Sequence, residues 1–459
     1  MKIGFITLGC DKNTVDSERY LAQLGDRGAQ RTDDLSQADV IIINTCGFID
    51  AAKQESIEAI VDAGRYKIDG VCQAVVAVGC MVERHKAELM IELPEVDLFL
   101  GASEMDRLIP ALEERGVIGD PAVEHPGVRV YAGDLPHVRY LKVSEGCDHG
   151  CAFCAIPLMR GKHRSFARDE IVREAQLLEL QGALEVNLVA QDLAHYGRDR
   201  RDDIRLPELL ESLLAETSVP WFRLLYLYST GMTPRFLETL ARESRIVKYL
   251  DMPIQHASDA VLMRMRRPER ARTIRERLAR VRGLIPEIAI RTTCIVGFPG
   301  ETAADFAMLL EFLEEAQFDR VGAFTYSAQE GTRAHALTDD VPESLKRERL
   351  ERLTELQRSI TVERYERHVG RTVRVLVDRA GSAGVPAEAR APWQADDIDG
   401  IVRIDAPLVA SRFADVRIEC VEDDYDFRAT LVGRVDVVPA ARRSRALPVT
   451  ATTIGSYGR

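Results

Sequence analysis

Three cysteines at C-x3-C-x2-C stand in the middle of the chain: Cys147, Cys151 and Cys154 in GCDHGCAFC, with Phe153 directly before the last. Three soft thiolates in one tight loop suit a zinc ion or an iron–sulfur cluster. Structural zinc takes four ligands, and His149 and His163 are poorly placed to supply the fourth. On a four-iron cluster, three thiolates leave one iron open for a small molecule. Structural zinc and three unrelated core cysteines are the alternatives, although random cysteines rarely cluster in this way.

A second set follows a different regularity. Cys10 in LGCDKNTVDSE, Cys46 in NTCGFID and Cys80 in VGCMVERH each come directly after a short apolar, β-forming run. In an open α/β sheet the loops after the strands share one edge, where such sheets bind ligands. One cysteine at a strand end is an ordinary small hydrophobe; three in register predict a second three-thiolate site. Cys72, Cys294 and Cys420 have no partners at metal spacing, and Cys294, in IRTTCIVGF, reads as a core residue.

The elements that must position these thiols are legible as alternating patterns. Runs at 2–8, 40–43, 74–78 and 97–100 read as buried strands, each followed by a helical stretch, the first at 13–24. This predicts a doubly wound parallel sheet over residues 1–118. A Pro- and Gly-rich stretch, 119–138, reads as a linker. Strands are expected near Tyr140, Asn187, Leu224, Leu250, Thr292 and Ala323, with helices at about 169–181, 206–216, 234–243, 258–283 and 302–316. Six strand–helix units predict an open (β/α)6 partial barrel over 139–368, with chemistry at the strand C-terminal ends. Its last helix, 343–368, carries Leu345, Leu350, Leu353, Leu356 and Ile360 along one stripe. Short β segments at 372–377, 400–404, 416–421 and 429–437 predict a small C-terminal β-barrel over 369–437. Residues 438–459 read as a flexible tail.

Composition narrows the class. The chain has 459 residues, 46% apolar and 29% charged, with a net charge of −12. That length predicts two to four domains. The acidic balance argues against a general nucleic-acid binder, which gains affinity by neutralising phosphates. No apolar run approaches the roughly 20 residues of a membrane span, and the N-terminus is a poor signal peptide. Nine cysteines without export predict a reducing, cytoplasmic setting.

The middle motif matches the cysteine signature of the radical S-adenosylmethionine (SAM) enzymes, aromatic residue included. Over residues 1 to about 437 the chain resembles the radical SAM methylthiotransferases. The resemblance rests on LGCDKNTVDSE, NTCGFIDAAKQESI, VGC, SEGCDHGCAFCAIPLMRGKHRS, LVAQDLAHYG, YLDMPIQHAS, IVGFPGET and FTYSAQEGT. NTCGFIDAAKQESI and IPLMRGKHRS are similar to the branch that modifies a ribosomal protein. Tyr228-Ser229-Thr230 departs from the Tyr-Pro that relatives often carry there.

The resemblance implies an N-terminal methylthiotransferase domain, a radical SAM domain and a C-terminal TRAM domain. It implies methylthiolation of the β-carbon of an aspartate in the twelfth protein of the small ribosomal subunit, with SAM also donating the methyl group. Two 4Fe–4S clusters are implied: one on Cys147, Cys151 and Cys154 that binds SAM, and one on Cys10, Cys46 and Cys80 that carries an exogenous sulfide. Phe153 would pack beside the cluster or the adenine. Gln191 and Gln255 would hydrogen-bond SAM, or else are surface loop residues. Gly297 and Gly300 would admit SAM to the backbone, or merely shape a turn. Arg160, Lys162 and Arg164 would balance the cluster's charge, or form a solvated basic face. An electron donor of flavodoxin or ferredoxin type is implied, with no membrane and no required RNA contact. The rival readings are a tRNA adenosine methylthiotransferase, a non-catalytic zinc-binding module and an iron–sulfur electron carrier.

The C-terminal barrel adds one expectation of its own. Residues 366–437 hold 14 Asp and Glu against 10 Arg and no Lys, a net of −4. The acidic run 422–426 around Tyr425 therefore reads as a contact for a basic protein rather than for RNA.

Overall fold

The structure is a computed structural model that describes residues 1–118 and 129–435. The expected tail at 438–459 and the first half of the expected linker, residues 119–128, lie outside the described residues. The linker's remaining part is tied down: Arg129 bonds Glu174 and the carbonyl of Tyr140, and His137 meets Asp378 at 2.8 Å.

The N-terminal unit is a five-stranded parallel sheet of β1 (Lys2–Thr7), β2 (Gln30–Thr32), β3 (Val40–Thr45), β4 (Ala74–Gly79) and β5 (Leu98–Gly101), in the order β2-β1-β3-β4-β5. Central strands β3 and β4 read VIIINT and AVVAVG and are buried throughout, as parallel strands covered on both faces must be. Alternate residues face opposite cores. Ile41, Ile43, Val75 and Ala77 pack with Ile60 and Ala63 of α2 (Asp50–Asp69) and Val82 of α3 (Cys80–Glu92). Val40, Ile42, Val76 and Val78 pack with Tyr20 and Leu24 of α1 (Asp11–Gly25) and Leu108 of α4 (Leu108–Glu114). The sequence reading missed β2, whose three residues are too few and too polar to signal a strand.

The central unit starts with β6 (Val138–Lys142). A short antiparallel pair, β7 (Ser144–Glu145) and β8 (Arg164–Ser165), brackets the middle cysteine motif and helix α5 (Ile156–Arg160). Strands β9 (Glu185–Val189), β10 (Trp221–Leu224), β11 (Tyr249–Asp251), β12 (Ala289–Val296) and β13 (Arg320–Thr325) follow. They form two three-stranded parallel sheets, β6-β9-β10 and β11-β12-β13, linked by a bridge from Phe222 to Ile246. The outer helices are α6 (Arg168–Leu180), α7 (Leu206–Glu216), α8 (Pro234–Arg242), α9 (Asp259–Arg264), α10 (Ala271–Leu284) and α11 (Ala303–Ala316). The single helix expected at 258–283 is thus two. Arg266 at φ +57° and Pro268, which cannot continue a helix, separate them.

Helix α12 (Glu343–Glu366) buries Leu353 and Ile360 as expected, but also Lys346, Arg349, Gln357 and Arg364. Each of these finds a partner, as buried polar groups must: Arg364 pairs with Asp319 at 2.6 Å and Arg349 with Glu301 at 2.9 Å. The chain then closes a barrel from β14 (Thr372–Arg379), β15 (Ala387–Arg390), β16 (Val402–Ile404), β17 (Arg412–Glu422) and β18 (Asp426–Val435), in the order β14-β15-β16-β18-β17. It is docked on the central unit by buried ions. Arg390 pairs with Asp378 (2.6 Å) and with Glu185 of β9 (2.7 Å), which also pairs with Arg223 of β10 (2.7 Å).

At the same junction His368 stacks on Trp393, with ring centroids 3.8 Å apart. Burial, with Arg371, Arg367 and Arg364 nearby, lowers its pKa to about 4. An unfolded histidine titrates near 6.5, so between these values the unfolded chain binds more protons. His368 therefore contributes stability that is complete above about pH 6.5 and is lost as pH falls toward about 4. Denaturant titrations of the full chain at pH 7.5 and 5 should show this loss. His368→Phe, which keeps a ring against Trp393, should shrink it; an unchanged pH dependence would refute the assignment.

Candidate functional site

The two cysteine sets meet where the N-terminal sheet faces the barrel's strand ends. Cys10 follows β1, Cys46 follows β3 and Cys80 opens α3 after β4, so all three lie on one sheet edge. Between β1 and β3 the strand order reverses, the place where open α/β sheets bind ligands. Gly9 there has φ +90°, and a Cβ on it would lie 2.9 Å from the Cys46 sulfur, so only glycine lets the two loops touch. Asn13 staples these loops together, donating to the carbonyls of Leu8 (2.7 Å) and Thr45 (3.1 Å). Ser56 holds Cys46 through both its amide and its carbonyl, each at 3.0 Å.

The middle motif is fixed by its backbone. The Cys147 amide donates to Gly161 (3.1 Å), the Ala152 amide to Met265 (2.9 Å) and the Ala334 amide to Ala152 (2.8 Å). Phe153 is half-buried against the small core of Ala152, Val261, Met265, Phe298 and Tyr326. Cys151 Sγ lies 2.7 Å from the Tyr228 hydroxyl and 3.9 Å from Arg267 Nη1, whose guanidinium sits 3.8 Å from the Tyr228 ring centroid.

Burial pushes the Cys147 thiol up to about 11, and those of Cys154 and Cys80 up to about 12; Cys46 is raised for the same reason. Such thiols stay protonated at neutral pH until a metal takes the proton's place. The spacing of the thiols bears on what each triplet would hold. Zinc–sulfur bonds of about 2.3 Å place ligand sulfurs under about 4 Å apart. Among the described residues neither triplet brings all its sulfurs within 4.8 Å of one another. Thiols so spread leave room for a multi-iron cluster. The group that does meet that spacing is His149, Asp192 and His195, which could hold one small cation. Its core is a 2.8 Å contact between His149 Nε2 and Asp192 Oδ2, while Asp192 Oδ1 accepts the amides of Ala194 and Tyr228.

Arg160 joins the two sets. Its side chain is 4% exposed, and its Nε donates to Cys80 Sγ at 3.1 Å. The guanidinium also reaches Asp16 (2.6 Å), Asn13 (2.5 Å) and Glu145 (3.2 Å). Lys142 pairs with the same Asp16 and Glu145. Burial alone would raise the Glu145 carboxyl, but Lys142 and Arg160 hold it well below the usual range. Cys80 packs directly on Ala155 and Met159 of the middle motif. Arg160 thus serves the other domain's cysteine, whereas Lys162 and Arg164 are exposed.

The remaining predicted residues are placed as follows. Gln191, past β9, donates to Glu145 at 2.9 Å, and its Oε1 is buried without a partner. Gln255, past β11, is held at φ +70°, a costly conformation for a non-glycine residue. Gly297 has φ +72° and a Cβ there would strike the Lys346 side chain, while its amide donates to Glu301 at 2.6 Å, so it shapes a turn against α12. Cys294 is fully buried in β12, as expected of a core residue. Lys12, Asn13 and Asp16 carry a signal through LGCDKNTVDSE, and Tyr226 and Tyr228 through their place after β10; Arg267, between α9 and α10, carries none.

The acidic run 422–426 is not a free patch. Asp424 pairs with Arg358, Glu422 with Arg428 (2.7 Å) and Asp426 with Arg403 (2.7 Å), while Arg320 lies 3.9 Å from the Tyr425 ring centroid. The chain's own arginines closely answer three of the four carboxylates, leaving Asp423, 83% exposed, as the one open to a basic protein.

Residues 2–101 match the Uncharacterized protein family UPF0004, residues 141–313 the Radical SAM superfamily and residues 369–432 the TRAM domain. The chain is 44% identical over 449 residues to the ribosomal protein uS12 methylthiotransferase RimO of Anaeromyxobacter sp. (strain K), covering 96% of this chain and 95% of that one. To the protein of the same name from Geobacter sulfurreducens it is 42% identical over 414 residues, covering 88% and 93%. Among solved structures, the radical SAM methyltransferase TsrM from Kitasatospora setae superposes with a TM-score of 0.52 at 14% identity, covering 72% of this chain and 76% of that one. That likeness shows the fold.

Proposed function

Since the chain belongs to the RimO family of ribosomal protein uS12 methylthiotransferases, we propose a division of labour among its residues. The protein is a radical SAM enzyme that methylthiolates uS12. The finer reading is that the target is the β-carbon of an aspartate, whose C–H bond no acid or base on the chain could activate. Cys147, Cys151 and Cys154 would hold a 4Fe–4S cluster with SAM, and Cys10, Cys46 and Cys80 a second one carrying sulfide. When bound, these groups supply the carbon-centred radical, the sulfur and the methyl group.

The chain's own residues set the stage. The N-terminal sheet edge meets the barrel's cysteine loop through Cys80 on Ala155 and Met159 and through Arg160. Arg160 and Lys142 neutralise Asp16 and Glu145 between them. Phe153, Gln191 and Gln255 line the barrel side and would position SAM. An electron carrier of flavodoxin or ferredoxin type would dock from outside, in the cytoplasm. Among the described residues no helix is long and apolar enough to cross a membrane. RNA contact is not part of this reading.

The observation that carries it is the pair of cysteine triplets on separate domains, tied together by Cys80 on Ala155 and Met159 and by Arg160 at Cys80 Sγ. Replacing Cys10, Cys46 and Cys80 with Ala should abolish methylthio transfer to uS12 while SAM is still cleaved reductively. Mass spectrometry of uS12 and chromatography of 5′-deoxyadenosine read the two separately. Methylthiolated product from that variant would remove the sulfur role of the N-terminal triplet.

A further inference from the structure

Three lysines are buried among the described residues: Lys12, Lys142 and Lys346. A buried ammonium is costly unless it is paired. Lys142 has Asp16 and Glu145, and Lys346 has Asp339 and Glu343, both at 2.6 Å. Lys12, 7% exposed, has no carboxylate within 4.0 Å among the described residues. Its Nζ lies 3.1 Å from the Tyr226 ring centroid, and Cys10, Asp11 and Asp251 are the acidic groups whose charge it feels, none of them paired with it.

The nearby acids are engaged elsewhere. Asp11 accepts the Tyr226 hydroxyl at 3.1 Å. Asp251 takes Arg291 at 2.8 Å and the Tyr226 amide at 3.1 Å. Tyr226 itself has φ +62°, a conformation that an aromatic residue keeps only where its surroundings impose it. It follows β10 at the barrel mouth, and Lys12 stands two residues after Cys10. The site is therefore a buried ammonium over an aromatic ring, with no carboxylate paired to it, set where the Cys10 loop meets the barrel mouth.

We propose that Lys12 binds the side-chain carboxylate of the substrate residue. The inference rests on the reading above, in which that residue is an aspartate modified at its β-carbon, one bond from the carboxylate. Holding that group over Tyr226 would present the β-carbon beside the Cys10 loop and exclude residues without a charge.

The test is a thermodynamic cycle on the anaerobically reconstituted full chain. Two synthetic uS12 peptides, with Asp or Asn at the modified position, are titrated by fluorescence anisotropy against wild type and Lys12→Met. Wild type should bind the Asp peptide about thirtyfold more tightly than the Asn peptide. In Lys12→Met the ratio should fall to about twofold or less, with iron content at the wild-type level. Lys12→Gln, which keeps a polar group, should behave likewise and carries the test if the Met variant does not fold. Lys12→Arg should recover part of the discrimination. A wild-type ratio in Lys12→Met, or lost iron with the ratio intact, would overturn the assignment and give Lys12 to the Cys10 site instead. If wild type itself fails to distinguish the peptides, the aspartate reading falls and takes Lys12 with it.

Discussion

Replacing Cys147, Cys151 and Cys154 with alanine is expected to leave about half of the roughly eight irons of the reconstituted protein and to reduce SAM cleavage to background. The loop should survive the change. Its shape is set by backbone bonds from Cys147 to Gly161, Ala152 to Met265 and Ala334 to Ala152, none of which uses a thiol. The N-terminal triplet is held by other elements, through Asn13, Ser56 and the close approach at Gly9, so its iron should remain. Iron and sulfide assays with 5′-deoxyadenosine chromatography check both halves. Retained cleavage in the triple variant would overturn the barrel assignment, and loss of all iron from a folded protein would show the two sites to be one.

Much of this arrangement was legible in the sequence because its signals are local. Continuous apolar runs such as VIIINT and AVVAVG mark buried parallel strands wherever they occur, and C-x3-C-x2-C is a feature of eight residues. The strand-end cysteines were readable for the same reason: each sits directly after its own strand. What escaped depends on partners far away in sequence. Arg160, six residues after Cys154, reads as a companion of its own loop, yet its partners are Cys80, Asp16 and Asn13, between 80 and 147 residues distant. Run 422–426 reads as an acidic surface because Arg358 and Arg403, which neutralise it, lie on other elements. Lys12 reads as a charged residue at the start of a helix, and only the fold lowers Tyr226 onto it. The short strands β2 and β15 carry too few residues for any period to show.

Arg160 accordingly gives the second large expected effect. Arg160→Met would leave Asp16 and Glu145 sharing Lys142 alone, in a site where Asp16 is 6% exposed. Breaking a buried ion pair in this way costs about 3–5 kcal/mol, so thermal unfolding should begin markedly lower. Arg160→Lys separates the charge from the geometry. It keeps one cation near the two carboxylates but lacks the planar fork that reaches Cys80, Asp16 and Asn13 together. Its stability should lie nearer the wild type, while the register between the two cysteine sets loosens. Misplacement of reacting groups by about 1 Å costs on the order of a hundredfold. The Lys variant should therefore cleave SAM with full iron content yet yield about a hundredfold less methylthiolated uS12 per SAM consumed. That uncoupling ratio is the decisive readout, because a merely destabilised protein would lose cleavage and transfer together. Wild-type coupling in Arg160→Lys would mean that the register between the two sites is held by the packing of Cys80 on Ala155 and Met159, and not by the guanidinium between them.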